Sequence, residues 1–336
     1  MADFVYFTEH NDVANSIYGN SQEPIKMFIE KKAEAFEAQS VLNKLFRMDK
    51  SNNYAEKYTA MGAMNDFHAV EENGAYPKDM MMKEAFAQVF EHVTWKGAFR
   101  ISQEMVEDSK LIDLKRQPSA FIAAYYRTRE KFGANLFAGA IKGLTSITVN
   151  EQTFKTTSAD GKTLFATDHL AAMSGVAEQS NKFAGAFTAD TLGAVESRMQ
   201  DFRGDTGEVL DVAPDTIIIP NSHTLKKAVF AAIGADKDPD TSNNGFNYQF
   251  GRWNVIVWPY LNQFLTDVDT PWILMDSRYN QEYAGAVWLD RIPLNVHSTI
   301  EDETDANVWR GRARYTGGFA DWRAFAVGGI TGGTEL

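Results

Sequence analysis

The sequence predicts an α+β fold, and three observations carry that prediction. A long apolar helix is expected from Pro118 to Gly143, helix and strand patterns mix over roughly 146–270, and from Ala284 onward the chain reads as strands alone. In the helix, Phe121, Ile122, Tyr125, Tyr126, Phe132, Leu136, Phe137, Ala140 and Ile141 recur with a 3.6-residue rhythm. Pro118 suits a first turn, where its missing N–H has no intrahelical partner, and Gly143 suits a left-handed stop. At about 1.5 Å per residue the helix would run roughly 39 Å. Its polar residues Arg127, Arg129, Glu130 and Lys131 form only a narrow strip, so other elements are expected to lie across it as across a spine.

The mixed region is justified by its caps and its short apolar runs. Thr188 caps a helix with Leu192, Val195, Met199 and Phe202 on its core face, and Ser222 caps a second carrying Leu225, Val229, Phe230 and Ile233 to Gly234. TIIIP (216–220), NVIVW (254–258) and WILMD (272–276) read as strands. The end is all β: AGAVWLD (284–290), NVWRGRARY (307–315) and DWRAFAV (321–327). In the middle one, strand alternation puts Arg310, Arg312 and Arg314 on one face and Trp309, Gly311, Ala313 and Tyr315 on the other.

Ahead of the spine, residues 1–20 show no period and read as an arm that orders only against something else. A helix opens at Ser21-Gln-Glu-Pro24 and runs to Leu45 or Phe46. Two extended limbs follow, YAEKYTAMGAMNDFHAV and KEAFAQVFEHVTWKGAFRI, joined by a tip with Asn73-Gly74 and Tyr76-Pro77 as turn signals. Met61, Met64, Met80, Met81 and Met82 fall in this hairpin, and methionine suits a contact that must adapt. Two placements are open: lying on a neighbour, or folded back on its own lobe.

Composition narrows the function. With 33 basic and 45 acidic residues the net charge is −12, which argues against adhesion to nucleic acid by bulk charge. No cysteine is present, which excludes disulfides, thiolate metal sites and cysteine nucleophiles. No basic segment leads into an apolar run at the start, so no signal peptide is expected, and no apolar stretch reaches the ~18 residues of a membrane span. Neither G-x-x-x-x-G-K-[ST] nor G-x-S-x-G occurs, and Gly328-Gly329-Ile-Thr-Gly332-Gly333 has no helix after it. Asp168, His169 and the distant His223 are the one candidate metal-dependent hydrolytic set, against a plain structural turn at Asp168-His169. No cofactor is expected. The arginine ladder has three readings: a solvated face, a partner for acidic patches on a neighbouring subunit, or a contact for an enclosed polyanion.

Taken in order, these parts resemble a tailed-bacteriophage major capsid protein of the Hong Kong 97 fold. The resemblance rests on an arm with a helix, a long hairpin returning through GAFRISQEMVEDS, the spine, and then TADTL from Thr188, GEVLDVAPDTIIIP from Gly207 and NVIVWPYL from Asn254. DGKTLFATDH (160–169) is similar to the Mu-type head subunits of that fold. The resemblance implies an N-terminal arm with a helix (1–49), an extended β-hairpin loop (50–98), a peripheral domain holding the spine (99–145 and 271–336) and an α/β axial domain (146–270). It implies pentamers and hexamers closing an icosahedral shell around double-stranded DNA, assembly in the host bacterial cytoplasm, and a place in the virion. It also implies a portal, a separate scaffold protein and a possible decoration protein as partners, with no catalysis. An encapsulin-type compartment is the alternative. Under the shell reading Met61, Met64, Tyr76, Met80, Met81, Met82, Lys83, Arg310, Arg312 and Arg314 are the candidate inter-subunit contacts.

Overall fold

The computed structural model describes residues 6–7, 31–61, 69–73, 75–76, 84–102, 104, 111–171, 176–234, 247–265, 270–301, 304 and 306–336. The chain opens with β1 (Tyr6–Phe7), a helix α1 described over 31–39, α2 (Leu42–Leu45) and β2 (Arg47–Lys50). Strands β3 (Ala55–Met61), β4 (Glu84–Glu91) and β5 (Val93–Ile101) lead to the spine, α3 (Leu111–Ile141), and to the small hairpin β6 (Ser146–Val149) and β7 (Gln152–Lys155). Then come α4 (Ala189–Gln200), β8 (Thr216–Ile219), α5 (His223–Ile233), β9 (Asn254–Val257), α6 (Leu261–Phe264), β10 (Trp272–Met275) and α7 (Ser277–Tyr283). The end is β11 (Ala286–Glu301), β12 (Ala306–Phe319) and β13 (Phe325–Gly328).

The spine differs from expectation at its start and agrees at its stop. It begins at Leu111, so Pro118 lies inside the helix, where its ring costs one i→i−4 bond, instead of opening it. At the other end Gly143 has φ +72°, the Leu144 amide donates to the Gly139 carbonyl at 2.9 Å and the Gly143 amide to Ala140 at 3.0 Å. This pair of bonds is a Schellman stop, and the left-handed φ is why a glycine stands there.

What lies across the spine comes from every part of the chain. Phe137 meets Phe46, Trp258, Phe319 and Phe325 at ring separations of 5.5, 5.9, 5.0 and 5.4 Å, while Phe132 meets Trp95, Phe154 and Trp288. Such edge-to-face contacts add to the apolar area removed from water.

Two residues of the expected polar strip are not at the surface. Arg129 and Glu130 are 7% and 9% exposed. Arg129 Nη2 donates to Asp290 Oδ2 at 2.8 Å, and its guanidinium lies over the rings of Trp288 (5.1 Å), Tyr315 (5.3 Å) and Tyr125 (5.8 Å). Glu130 accepts from Ser40 Oγ (2.6 Å), the Val41 amide (2.9 Å) and Trp258 Nε1 (3.0 Å). The Ser40 and Val41 bonds also explain why the first helix, expected to run to Leu45 or Phe46, breaks at Ser40: its carboxylate partner pulls the chain off the helix axis there.

Two sheets flank the core. The larger has the order β1-β11-β12-β5, with β2 also on β11, and the smaller the order β13-β10-β8-β9. β11 and β12 are antiparallel, with register shifts between Asp290 and Asn295. Pro293 stands in that interval, and a residue without an N–H cannot hold a ladder there. β2 runs parallel to Val287–Asp290, and β1 pairs parallel with Asn295 and Val296. Tyr6 and Phe7, expected to order only against something else, thus pair with an open edge of their own chain. In the smaller sheet β8, β10 and β13 are buried throughout, as TIII and WILM foretold, while the edge strand β9 is half-buried, and β13 from the end of the chain closes the sheet antiparallel to β10. The DWRAFAV segment therefore leaves the large sheet to join the mixed lobe.

In α4, Thr188 Oγ1 accepts from the Thr191 amide at 3.1 Å, and Leu192, Val195 and Met199 are fully buried, as read from sequence. One continuous apolar core joins both sheets and the spine.

Removing one partner of a buried, hydrogen-bonded charge pair strands the other in low dielectric. Arg129→Met is expected to cost about 3–5 kcal/mol in a urea unfolding titration. A loss below about 1 kcal/mol would show that the pair does not hold the spine to β11.

Candidate assembly interface

The extended limbs form a two-stranded antiparallel sheet of their own, with Ala55 opposite Glu91 and Met61 opposite Glu84. The returning limb, expected as one, divides at His92. Beyond it β5 leaves the hairpin and pairs with β12 from Val93↔Tyr315 to Ile101↔Asn307.

The root of the hairpin rests on the outer face of the large sheet. Phe90 packs with Val287, Leu289, Ala284 and Ala320, and the Tyr58 ring meets Phe90 edge to face at 5.8 Å. Gly318 makes the seat possible, since a Cβ there would lie 2.4 Å from the Phe90 ring. Tyr58 donates to Asp49 Oδ2 at 2.8 Å, and Gln88 Nε2 reaches the Thr157 carbonyl at 3.4 Å. Away from the root the described residues face solvent: 69–73 are exposed, and Tyr76 is 95% exposed. Met61 closes β3, whereas Met64, Met80, Met81, Met82 and Lys83 lie outside the described residues.

The other half of that outer face is basic. β12 lies between β11 and β5, so the arginine ladder runs down the middle of the sheet. Arg310 and Arg312 are exposed, while Trp309, Ala313 and Tyr315 are buried against the spine side, as alternation required. Arg310 stands between His297 and Ala98, Arg312 between Asn295 and Lys96, and Arg314 between Ile292 and Thr94. Opposed like charges such as Arg312 and Lys96 destabilise a sheet in isolation. No ion pair with another described residue satisfies Lys96, Arg291, Arg310, Arg312 or Arg314, and Arg314 Nε is buried without a hydrogen-bond partner. At the far end a cation does find an acid, Arg100 on Glu301 at 3.0 Å.

Sequence reasoning found the arginines but missed Lys96 and Arg291, and missed Phe90 as the seat. The alternation Thr94, Lys96, Ala98, Arg100 in β5 was the available signal for Lys96.

The hydrolytic candidates are not brought together. His223 is exposed at the start of α5, and Asp168 is bonded to Lys162. His169 is fully buried and stacked on Trp322 at 4.2 Å, with Nδ1 on Asp160 Oδ2 at 2.6 Å and Nε2 facing Asn181 Oδ1 at 3.2 Å. Asn181 spends its amide protons on the carbonyls of Leu164 (2.7 Å) and Phe325 (3.0 Å), so its oxygen is the acceptor toward the ring. Both ring nitrogens are engaged, and neither is left for a metal. Burial alone would raise the Asp160 carboxyl, but the bonds from His169, Ser158 and the Lys162 amide hold it below the usual carboxylate range. The cluster fastens the 158–169 turn to the mixed lobe, and among the described residues no group of three His, Asp or Glu is placed to hold a metal.

A family profile described as "Phage capsid protein" matches residues 86–328, more than half of the chain. No curated protein sequence matches. Among solved structures, the capsid of cyanophage P-SCSP1u is similar with a TM-score of 0.54 at 11% identity, over 86% of this chain and 87% of that one. A phage-related protein of Bordetella bronchiseptica RB50 is similar with a TM-score of 0.50 at 10% identity, over 90% and 95%. At such identities the structures establish the Hong Kong 97-type α+β fold, and the family match establishes the role. The chain belongs to the phage capsid protein family, as a major capsid shell protein, a structural component of the virion assembled from many copies of one subunit.

Proposed function

We propose that this subunit forms the pentamers and hexamers of an icosahedral head around double-stranded DNA, without catalysis, by laying its hairpin on one neighbour and receiving acidic groups of another on its arginine strip. The observation that carries the reading is the division of one sheet face. Its apolar half is roofed by Phe90 and Tyr58, and its basic half is covered by none of the described residues, with Arg310 and Arg312 exposed. Arginine suits such a surface because its planar fork pairs bidentately with carboxylates. In this reading Met61, Met64, Tyr76, Met80, Met81, Met82 and Lys83 make the hairpin's contacts, and Arg310, Arg312 and Arg314 make those of the strip. Each contact is modest, and closure sums them over the shell.

The acidic balance of the chain suits a container, since a strongly basic wall would hold the genome against release. Portal, separate scaffold and decoration proteins complete the proposed partners, and assembly takes place in the host bacterial cytoplasm. The family match supports a phage head over an encapsulin-type compartment.

Deleting residues 60–85 is expected to leave a soluble, folded subunit that closes no shells by electron microscopy, and normal particles would refute the hairpin's role. Arg310→Glu with Arg312→Glu is expected to lower shell yield by at least about tenfold while thermal unfolding of the subunit is unchanged or improved. Undiminished yield would remove the strip from the interface.

A further inference from the structure

His92 sits where the chain leaves the hairpin and enters the large sheet, between the last residue of β4 and the first of β5. Its amide donates to the Tyr54 carbonyl at 3.3 Å, at the root of the hairpin. The side chain is 5% exposed, and neither Nδ1 nor Nε2 has a hydrogen-bond partner. A buried imidazole in that position is tolerable while neutral. Charged, it would be an ion taken out of water with no acceptor waiting for its protons.

The neighbours make the charged form worse. The charged groups acting on the ring are Arg291 from β11, Arg314 from β12 and Glu56 from β3. Two cations thus oppose one acid. That acid is already engaged, accepting from Ser51 Oγ at 2.7 Å and Asn53 Nδ2 at 2.9 Å. Arg314 has its own buried and unpartnered Nε, so this corner already holds uncompensated donors. Phe90, the residue that seats the hairpin on Val287 and Leu289, is on the same strand end.

We propose that His92 is a proton-operated latch at the hairpin root, letting Phe90 and Tyr58 rest on the sheet while neutral and forcing β3 and β4 off Arg291 and Arg314 when charged. Burial first, then Arg291 and Arg314, hold its pKa below the ordinary value of 6.5, and Glu56 offsets only part of this. The folded chain therefore takes up the proton at lower pH than the unfolded chain does. Stability from the neutral ring is fully present above about pH 6.5 and is lost as pH falls from there through the folded-state pKa. The latch concerns one subunit and does not depend on the shell reading.

Hydrogen exchange on the unassembled full chain, expressed as protection factors at about pH 8 and about pH 5, tests it without reading assembly. Protection in 55–61 and 84–91 is expected to fall by more than about threefold at the lower pH, while β8 and β10 stay protected. His92→Gln, neutral throughout, is expected to abolish the difference. Arg314→Gln, which removes one opposing cation, brings the folded-state pKa closer to the ordinary value and is expected to make the fall in protection smaller. A hairpin whose protection ignores pH, or responds equally in His92→Gln, overturns the proposal. Should His92→Gln unseat the hairpin at both pH values, a fall in protection undiminished in Arg314→Gln overturns it as well.

Discussion

The fold depends on a guanidinium held in its core. Arg129 projects from the middle of the spine into a box of Trp288, Tyr315 and Tyr125 and ends on Asp290. A charge there is costly to desolvate, and it is tolerable only because a carboxylate and aromatic faces receive it together. The pair fixes both the rotation of the helix and the position of β11, since Trp288 Nε1 also donates to Asp290 at 3.2 Å. One helical position on, Glu130 does the same for the entering chain and for Trp258. Two adjacent residues thereby set the arm side, the mixed lobe and the large sheet against one rod.

With its inner face committed to the spine, the large sheet has only its outer face for other work. That face is divided by chemistry. Val287, Leu289 and Gly318 accept the chain's own hairpin, and the rows through Arg310, Arg312 and Lys96 have no ion-pair partner among the described residues. A monomer that ended its life alone would gain by pairing or dispersing those charges. In the assembly we propose, a neighbour brings the acid that these charges lack among the described residues.

Much of this was legible in the residues. The 3.6-residue rhythm located the spine, Gly143 marked its stop, Thr188 and Ser222 marked two helix starts, and period-two alternation sorted the arginines from Trp309, Ala313 and Tyr315. What escaped depended on partners far away in sequence. Arg129 reads as surface until Asp290, 161 residues on, is placed beside it. Nothing local marks His92 as the point where one extended limb changes sheets, because both halves have strand-like composition and only tertiary pairing separates them. Pro118 suited a helix start by its own chemistry, but the Leu- and Ile-bearing turn ahead of it carried the helix further back. The strand edge that receives Tyr6 and Phe7 exists only because β2 covers part of β11 and leaves the rest open.

The central claim is that the bare basic half of the sheet and the far end of the hairpin are kept for other copies of the chain. A cryo-electron microscopy reconstruction of the assembled particle measures this directly. The account predicts acidic side chains of an adjacent subunit over Arg310, Arg312 and Lys96, with residues around Tyr76 lying on a neighbour. A finished shell in which that strip is open to solvent and each hairpin touches only its own chain would contradict it.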